Sequence, residues 1–219
     1  MKTWMSWSSG KDSAFALYEL KKQENIEVVG LLTTVNETYG RVAMHAVRES
    51  LLIRQAKELG LPLHIVSIPP GCSNELYAAR MSKLIGRAID AGVEAMAFGD
   101  LFLEDIKKYR EDMLAPTAMR PLFPLWQRPT GQLAHEMIEA GQKAIITCVD
   151  PRKLAASFAG RKFDLSFLAD LPTEVDPCGE NGEFHSFVYE SPLFKSPIAI
   201  QVGEIVERDG FIFADLLEI

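Results

Sequence analysis

The chain has 219 residues, of which 47% are hydrophobic and 24% charged, a balance typical of a folded globular protein and not of a disordered one. Its net charge of -7 argues against a dedicated nucleic-acid surface, which usually concentrates positive charge. The three cysteines have no CxxC spacing and no run of about 18 apolar residues occurs, so the sequence predicts no disulfide framework, no zinc site, no membrane span and a cytoplasmic location.

Strand and helix patterns alternate through the first hundred residues. Short, nearly continuous apolar runs predict strands, and apolar residues three to four apart predict helices. The predicted strands are residues 3–7, 27–34, 63–68 and 94–100, and the predicted helices are residues 12–23, 42–59 and 75–92. This order predicts an α/β fold, with a Rossmann-like parallel sheet and helices on both faces.

The pattern changes near residue 120. Residues 116–131 hold four of the twelve prolines, which predicts an irregular connection. Beyond it we expect a helix at 134–140, a strand at 143–149, a short helix at 154–159, and a hairpin formed by 198–206 and 211–217. We therefore predict a nucleotide-binding domain at residues 1–120 and a smaller, mixed α+β substrate-binding subdomain at residues 121–219.

The turn after the first predicted strand is the first candidate site. Ligands of open parallel sheets bind where strands end and helices begin. This turn can direct backbone N-H groups and a helix amino terminus at one anion, with Lys11 as a mobile charge, Ser13 as a hydroxyl donor and Asp12 as a helix cap. Its residues are Ser8, Ser9, Gly10, Lys11, Asp12 and Ser13. The same residue types also suit an ordinary strand-to-helix turn.

The turn is not a Walker loop, although it contains a Gly-Lys pair. A Walker loop needs a glycine five residues before that pair and Ser or Thr directly after it, where this chain has Met5 and Asp12. A phosphate at this turn would therefore be held by another geometry.

Other polar residues are weaker candidates. Asp100 ends the fourth predicted strand and would orient Mg²⁺ or a ribose hydroxyl, or else cap the following helix. His45 and Arg48, one turn apart on a predicted helix, would share an anion or lie on the surface. The residues Glu104, Asp105 and Arg110 fit a solvated helix face equally well.

The turn resembles the SGGxDS signature of the PP-loop ATP pyrophosphatases, with Ser9 in place of the first glycine. Three further segments resemble the diphthine-ammonia ligase family, specifically its short, single-module branch. They are AMAFGDLFLEDIKKYREDML (95–114), PLFPLW (121–126) and DPCGENGEFHSFVYESPLF (176–194). The resemblance implies an adenine nucleotide alpha hydrolase-like fold and cleavage of ATP, with Mg²⁺, into AMP and pyrophosphate. It further implies a small-molecule or protein carboxylate substrate that is joined to ammonia.

The resemblance assigns residues to both halves of this reaction. The nucleotide would be held by the turn together with Thr33, Gly99 and Asp100. In the carboxy-terminal segment, Gly-rich composition favours close approach of the backbone to a ligand. There Glu180, Glu183 and His185 are candidates for acid-base work and ammonium binding, with Lys11 completing the catalytic set, and Glu183 and His185 are expected to face the pocket together.

Two other functions stay open at this point. A tRNA-modifying sulfur transferase would use Cys178 as a thiolate, and a sensor would bind ATP or AMP without turnover. The sequence does not identify the acceptor, and it leaves a homodimer open.

Overall fold

Two β-sheets organise the protein, and the computed structural model describes residues 1–38, 40–42 and 47–219. The first sheet contains β1 (Lys2–Ser6), β2 (Glu27–Asn36), β3 (Arg41–Val42), β4 (Leu63–Ile68), β5 (Ala95–Ala97) and β6 (Arg120–Leu122). The second contains β7 (Lys143–Val149), β8 (Phe184–Glu190), β9 (Ile200–Arg208) and β10 (Phe211–Glu218). The helices are α1 (Lys11–Lys21), α2 (Glu49–Leu59), α3 (Asn74–Asp90), α4 (Glu104–Leu114), α5 (Thr130–Glu139) and α6 (Leu165–Asp170), with a 3-10 turn at Ala156–Phe158.

The first sheet is parallel except for one short strand. Its parallel strands lie in the order β4-β2-β1-β5-β6, and β3 runs antiparallel beside the end of β2. The winding direction reverses between β1 and β5, the place where ligands bind in open α/β sheets. The predicted α/β class with a Rossmann-like parallel sheet is confirmed.

Helices cover both faces of this sheet. Neighbouring strand residues point to opposite sides, so they pack against different helices. Met5 packs with α1 and α2 in one apolar cluster, whereas Trp4 packs with α3 in another. The first cluster continues into the second sheet through residues such as Ile146 and Val188. The second sheet therefore shares its core with the α1 and α2 layer.

The second sheet is antiparallel, in the order β8-β7-β10-β9. The predicted hairpin is confirmed as β9 and β10. Asp209 and Gly210 join these strands with φ values of 52° and 78°, which matches the two-residue hairpin turn that the Asp-Gly pair favours. The division of the chain near residue 120 stays a prediction.

Three sequence predictions need correction. Of the helix expected at 42–59, the described residues show α2 from Glu49 onward, and residues 43–46 lie outside them. Val42 instead pairs with Val35, and its N-H donates to the carbonyl of Val47 at 2.8 Å. The proline-rich stretch contains β6, whose Pro121 is tolerated at a sheet edge. The short helix expected at 154–159 is only the 3-10 turn.

One helix was not predicted. α6 begins directly after its N-cap residue Asp164, whose carboxylate accepts the N-H of Phe167 at 2.9 Å. Among the helices of the described ranges, none has both the length and the apolar character that crossing a bilayer requires.

Candidate active site

A cleft of about 420 Å³ opens at the switch point between β1 and β5. Most of the predicted site residues line it: Ser8, Lys11, Asp12, Ser13, Thr33, Gly99, Asp100, Glu180 and His185. Ser9, Gly10 and Glu183 are not among its lining residues. The fold thus brings residues from the start and the end of the chain to one place.

The turn after β1 is held by a residue in an unusual conformation. Ser9 has a φ of 69°, in the left-handed region that favours glycine, and it is fully buried. Its carbonyl accepts two hydrogen bonds, from the backbone N-H of Val188 and the Nε2 of Gln55, both at 3.0 Å. Ser9 therefore adopts the backbone conformation that suits the glycine of the SGGxDS signature, at the cost of some strain.

The hydroxyl groups of the turn bond to one another. Ser13 Oγ donates to the carbonyl of Gly10 at 3.0 Å and lies 3.1 Å from Ser8 Oγ. Ser8 Oγ in turn accepts the N-H of Gly10 at 3.3 Å. These hydrogen bonds join residues of the turn to one another and orient its hydroxyl groups without a ligand.

Lys11 is buried, and its ammonium group is fixed. Its Nζ bonds to both carboxylate oxygens of Asp12 at 2.9 Å and to the carbonyl of Cys178. Burial opposes the charge of Lys11, but Asp12 and other acidic neighbours outweigh it, so the pKa of Lys11 is raised. The expectation of a mobile charge is therefore wrong.

Asp12 also differs from its predicted role. The N-cap of α1 is Gly10, and no side chain caps this helix, so Asp12 is an ion-pair partner of Lys11 and not a cap. Burial raises the pKa of Asp12, although Lys11 opposes that shift. Thr33, also buried, donates its hydroxyl to the carbonyl of Trp7 at 2.7 Å at the same strand edge.

The segment after β5 approaches α1 closely at Gly99. A Cβ atom there would lie 2.9 Å from the N of Ser13 and 3.0 Å from the carbonyl carbon of Asp12, so only glycine fits. The next residue, Asp100, pairs with Arg110, with Nε and Oδ2 3.4 Å apart. Burial raises the pKa of Asp100, and Arg110 opposes the shift.

These contacts settle two of the alternatives. The N-cap position of α4 is Leu103, without a side-chain cap, so Asp100 does not cap the helix. Glu104 and Asp105 are exposed, as a solvated helix face predicts, whereas Arg110 lines the cleft. His45 lies outside the described residues, and Arg48 donates to Asp215 on β10.

Glu180 connects the carboxy-terminal segment to the other side of the cleft. Its Oε1 accepts the backbone N-H of Leu101 at 2.7 Å. Burial raises the pKa of Glu180 to about 7, and the carboxylates of Asp12 and Asp100 add to this shift. A carboxyl group with a pKa near neutrality inside a cleft is suited to accepting and returning protons.

Glu183 and His185 do not face the cleft together. His185 lines the cleft, but Glu183 is buried among backbone groups, where its Oε1 accepts the N-H of Asp176 at 3.2 Å and the Nδ2 of Asn181 at 3.1 Å. The positive φ of Gly182, 80°, turns the chain just before Glu183, so alternation along an extended strand does not apply there. The prediction of a shared face is wrong for Glu183.

Cys178 is buried and does not line the cleft. Its Sγ lies 3.5 Å from the carbonyl of Thr130, and burial strongly raises the pKa of the thiol. A thiol in such a position stays protonated and is a poor nucleophile.

The sequence did not predict three residues that form hydrogen bonds with the turn from the protein interior. All three are buried. Gln55 donates to the carbonyl of Ser9, Gln142 donates to the carbonyl of Lys11, and the hydroxyl of Ser186 accepts the N-H of Lys11. A signal for Gln55 exists, because it falls within the buried stripe of α2 together with Leu51, Leu52 and Ala56. The apolar end of the cleft was also missed; it comprises Tyr77, Met81, Phe98, Ile106 and Met113.

Two family models match most of the chain. The diphthamide synthase N-terminal domain matches residues 1–121, and the diphthamide synthase C-terminal domain matches residues 129–215. Together they include every predicted site residue.

Curated relatives named diphthine-ammonia ligase match as well. The zebrafish (Danio rerio) protein is 33% identical over 230 residues, covering 94% of this chain and 89% of the relative. The mouse (Mus musculus) protein is 29% identical over 237 residues, covering 94% and 85%. The bovine (Bos taurus) protein is 33% identical over 132 residues, covering 56% of this chain, and that match spans about half of the relative, 48%. The chain therefore belongs to the diphthamide synthase family.

Proposed function

We propose that the protein is an ATP-dependent ligase that adenylates a carboxylate and transfers the acyl group to ammonia or an amine. The observation that carries this proposal is one cleft containing both the turn after β1 and Glu180, whose pKa is about 7. Relatives named diphthine-ammonia ligase support an amide-forming reaction with ammonia. The identity of the carboxylate is left to experiment.

ATP is proposed to bind with its phosphates at the turn. The amino terminus of α1 begins at the cleft, where the positive end of the helix dipole favours an anion. Lys11, fixed close to the same helix turn, adds one positive charge. The proposed contact residues are Ser8, Ser9, Gly10, Lys11, Asp12, Ser13, Thr33, Gly99 and Asp100, of which Ser9 acts through its backbone.

Mg²⁺ is proposed to bind together with the phosphates. Asp12, Asp100 and Glu180 line the cleft, and burial raises the pKa of each, so a divalent cation would relieve the crowding of their charges. Within the described ranges, no group of three or more His, Cys, Asp or Glu residues suits a metal by itself. Mg²⁺ commonly takes one or two carboxylates and completes its shell with phosphates and water, so Asp12 and Asp100 fit as its ligands. When bound, it would neutralise phosphate charge.

The reaction then proceeds in two nucleophilic substitution steps. An oxygen of the substrate carboxylate attacks the α-phosphorus of ATP, and pyrophosphate leaves. The amine nitrogen next attacks the acyl carbon, AMP leaves, and the amine proton passes to Glu180. Because Glu180 has a pKa of about 7, it is able both to take this proton and to release it. His185, on the same wall, is proposed to orient the amine, whereas Glu183 is proposed to shape the segment that carries Glu180.

The alternatives have less support. Sulfur transfer needs a reactive thiolate, but Cys178 is buried away from the cleft with a raised pKa. A sensor has no need of a carboxyl group that titrates near neutrality beside the nucleotide. Three further expectations remain part of the proposal: a cytoplasmic location, which fits three free cysteines, a homodimer, and the domain division near residue 120.

The products of ATP test this function. The protein is incubated with ATP, Mg²⁺, ammonium and a set of carboxylates that includes diphthine, and the spent nucleotide is separated by ion-exchange chromatography. We expect AMP and pyrophosphate in equal amounts, and only when a carboxylate is present. ADP as the main product would contradict the ligase. Cys178→Ser should keep turnover, and its selective loss in that variant would favour sulfur transfer.

A further inference from the structure

We propose that Gln55 is the positioning residue of the phosphate-binding turn. It fixes the Ser9-Gly10 peptide so that the N-H of Gly10 points toward the cleft and the polyphosphate of ATP. This inference rests on the proposed function, because that function brings a polyphosphate to the turn.

The hydrogen bonds of Gln55 make it a rigid anchor. Its side chain is fully buried on α2, and all its strong hydrogen-bonding groups have partners. Oε1 accepts the indole N-H of Trp7 at 2.9 Å, while Nε2 donates to the carbonyls of Ser9 at 3.0 Å and Val188 at 2.7 Å. The amide orientation is therefore determined by three contacts, and the Ser9 carbonyl is held in the protein interior.

This anchor determines the direction of the next N-H group. In a planar trans peptide the carbonyl and the following N-H point in opposite directions. With the Ser9 carbonyl directed at Gln55 and Val188, the N-H of Gly10 points the other way. Its partner is Ser8 Oγ at 3.3 Å, and Ser8 lines the cleft. A phosphate oxygen is a stronger acceptor than a hydroxyl group and would replace it.

The strain at Ser9 explains why an anchor is needed. A left-handed φ of 69° is unfavourable for serine. Rotation about the N–Cα bond of Ser9 would relieve this strain, and it would also move the Ser9 carbonyl and turn the N-H of Gly10 away from the cleft. Two donors to one carbonyl, from Gln55 and Val188, oppose that rotation. Removing one of them weakens the preorganisation of the turn.

The first experiment compares two variants of α2. Gln55→Met keeps the volume but removes the donor to Ser9, together with the bonds to Trp7 and Val188. Glu58→Gln alters another buried residue of the same helix, which bonds to Ser196 and not to the turn. ATP and AMP affinities are measured by calorimetry and unfolding by circular dichroism. We expect Gln55→Met to lose about tenfold or more in ATP affinity and much less in AMP affinity. Glu58→Gln should unfold at a lower temperature with unchanged nucleotide affinity. A folded Gln55→Met that binds ATP as tightly as the parent overturns the inference.

The second experiment uses the unaltered protein, so it does not depend on how the variant folds. Inorganic pyrophosphate is titrated while backbone amides are followed by NMR. The chemical shift of the Gly10 amide should be among those that change most. An unchanged Gly10 chemical shift overturns the inference. If the Gly10 amide shifts and Gln55→Met weakens ATP binding as expected, but no carboxylate supports release of pyrophosphate, the ligase proposal fails and the role of Gln55 stands.

Discussion

The two walls of the cleft use their polar side chains differently. The loop wall, Ser8 to Ser13, bonds its hydroxyl groups to one another and holds its charge in the neighbouring Lys11-Asp12 pair. The carboxy-terminal wall, Gly179 to Ser186, is attached to other parts of the fold, for example through Glu180 to Leu101. It also carries the carboxyl group whose pKa is raised to about 7.

This difference indicates a division of labour. A turn whose donors are already oriented binds charge without reorganising, which suits the nucleotide. A carboxyl group that changes protonation near neutral pH suits the transfer of a proton. If the division is real, substitutions on one wall should change affinity and substitutions on the other should change rate.

The largest effect is expected from Glu180→Gln on the carboxy-terminal wall. The amide keeps the size and can still accept the N-H of Leu101, but it cannot take a proton. Turnover should fall by about 10²–10⁴-fold, while ATP affinity stays within about 1 kcal/mol of the parent. Release of pyrophosphate and calorimetric titration measure the two quantities. A variant with normal turnover and weak ATP binding would show that Glu180 contributes to nucleotide binding and not to proton transfer.

A smaller effect is expected from Lys11→Met on the loop wall. Losing one charged contact to phosphate should weaken ATP binding by about 10–100-fold and AMP binding by less. Lys22→Met is the matched control, because Lys22 is 53% exposed, does not line the cleft, and contacts its neighbours Glu19 and Tyr18 at the surface. Equal loss of affinity for AMP and ATP would show that Lys11 supports the fold and not the outer phosphates.

The pH dependence of unfolding sharpens the contrast further. The pKa of Glu180 is about 7 in the folded protein and has its ordinary value of 4.5 when unfolded, so the folded state binds the proton more tightly. Its contribution to stability is present below pH 4.5 and is lost as the pH rises through about 7. The parent should therefore lose more in Tm between pH 5 and pH 8 than Glu180→Gln does, as measured by thermal unfolding without nucleotide. Parallel pH profiles for the two proteins would contradict a buried, titrating Glu180.

The smallest effect is expected from Ser9→Gly. Glycine adopts a φ of 69° without strain and removes a buried hydroxyl group that has no partner among the described residues. Its greater freedom in the unfolded chain offsets part of this gain. We expect a net stabilisation of about 1 kcal/mol, or about 2–4 °C in Tm, with ATP affinity retained. A lower Tm would show that the Ser9 side chain contributes packing that outweighs the strain.

The sequence predicted the parallel sheet well because its apolar runs are short, regular and separated by clear turn residues. It identified most of the cleft because a strand-to-helix turn and a Gly-rich segment are local patterns. It failed where contacts between nearby residues override the periodic pattern: Val42 joins a strand through Val35 instead of the predicted helix, and Glu183 turns into the interior toward Asp176 and Asn181. Gln55 could be recognised only as a polar residue in an apolar stripe. The carbonyls to which it donates belong to the turn after β1 and to β8, and the pattern of α2 does not predict their position.

The backbone bond from Val188 to Ser9 has a consequence for the order in which the protein is assembled on the ribosome. Synthesis proceeds from the amino terminus, and early segments fold before later ones emerge. Ser9 receives a partner from Val188, and the N-H of Lys11 receives one from Ser186, which is 175 positions further along the chain. The final geometry of the first turn to be synthesised thus depends on two residues that are synthesised near the end. A nascent chain that has completed only its parallel sheet would lack both of these hydrogen bonds.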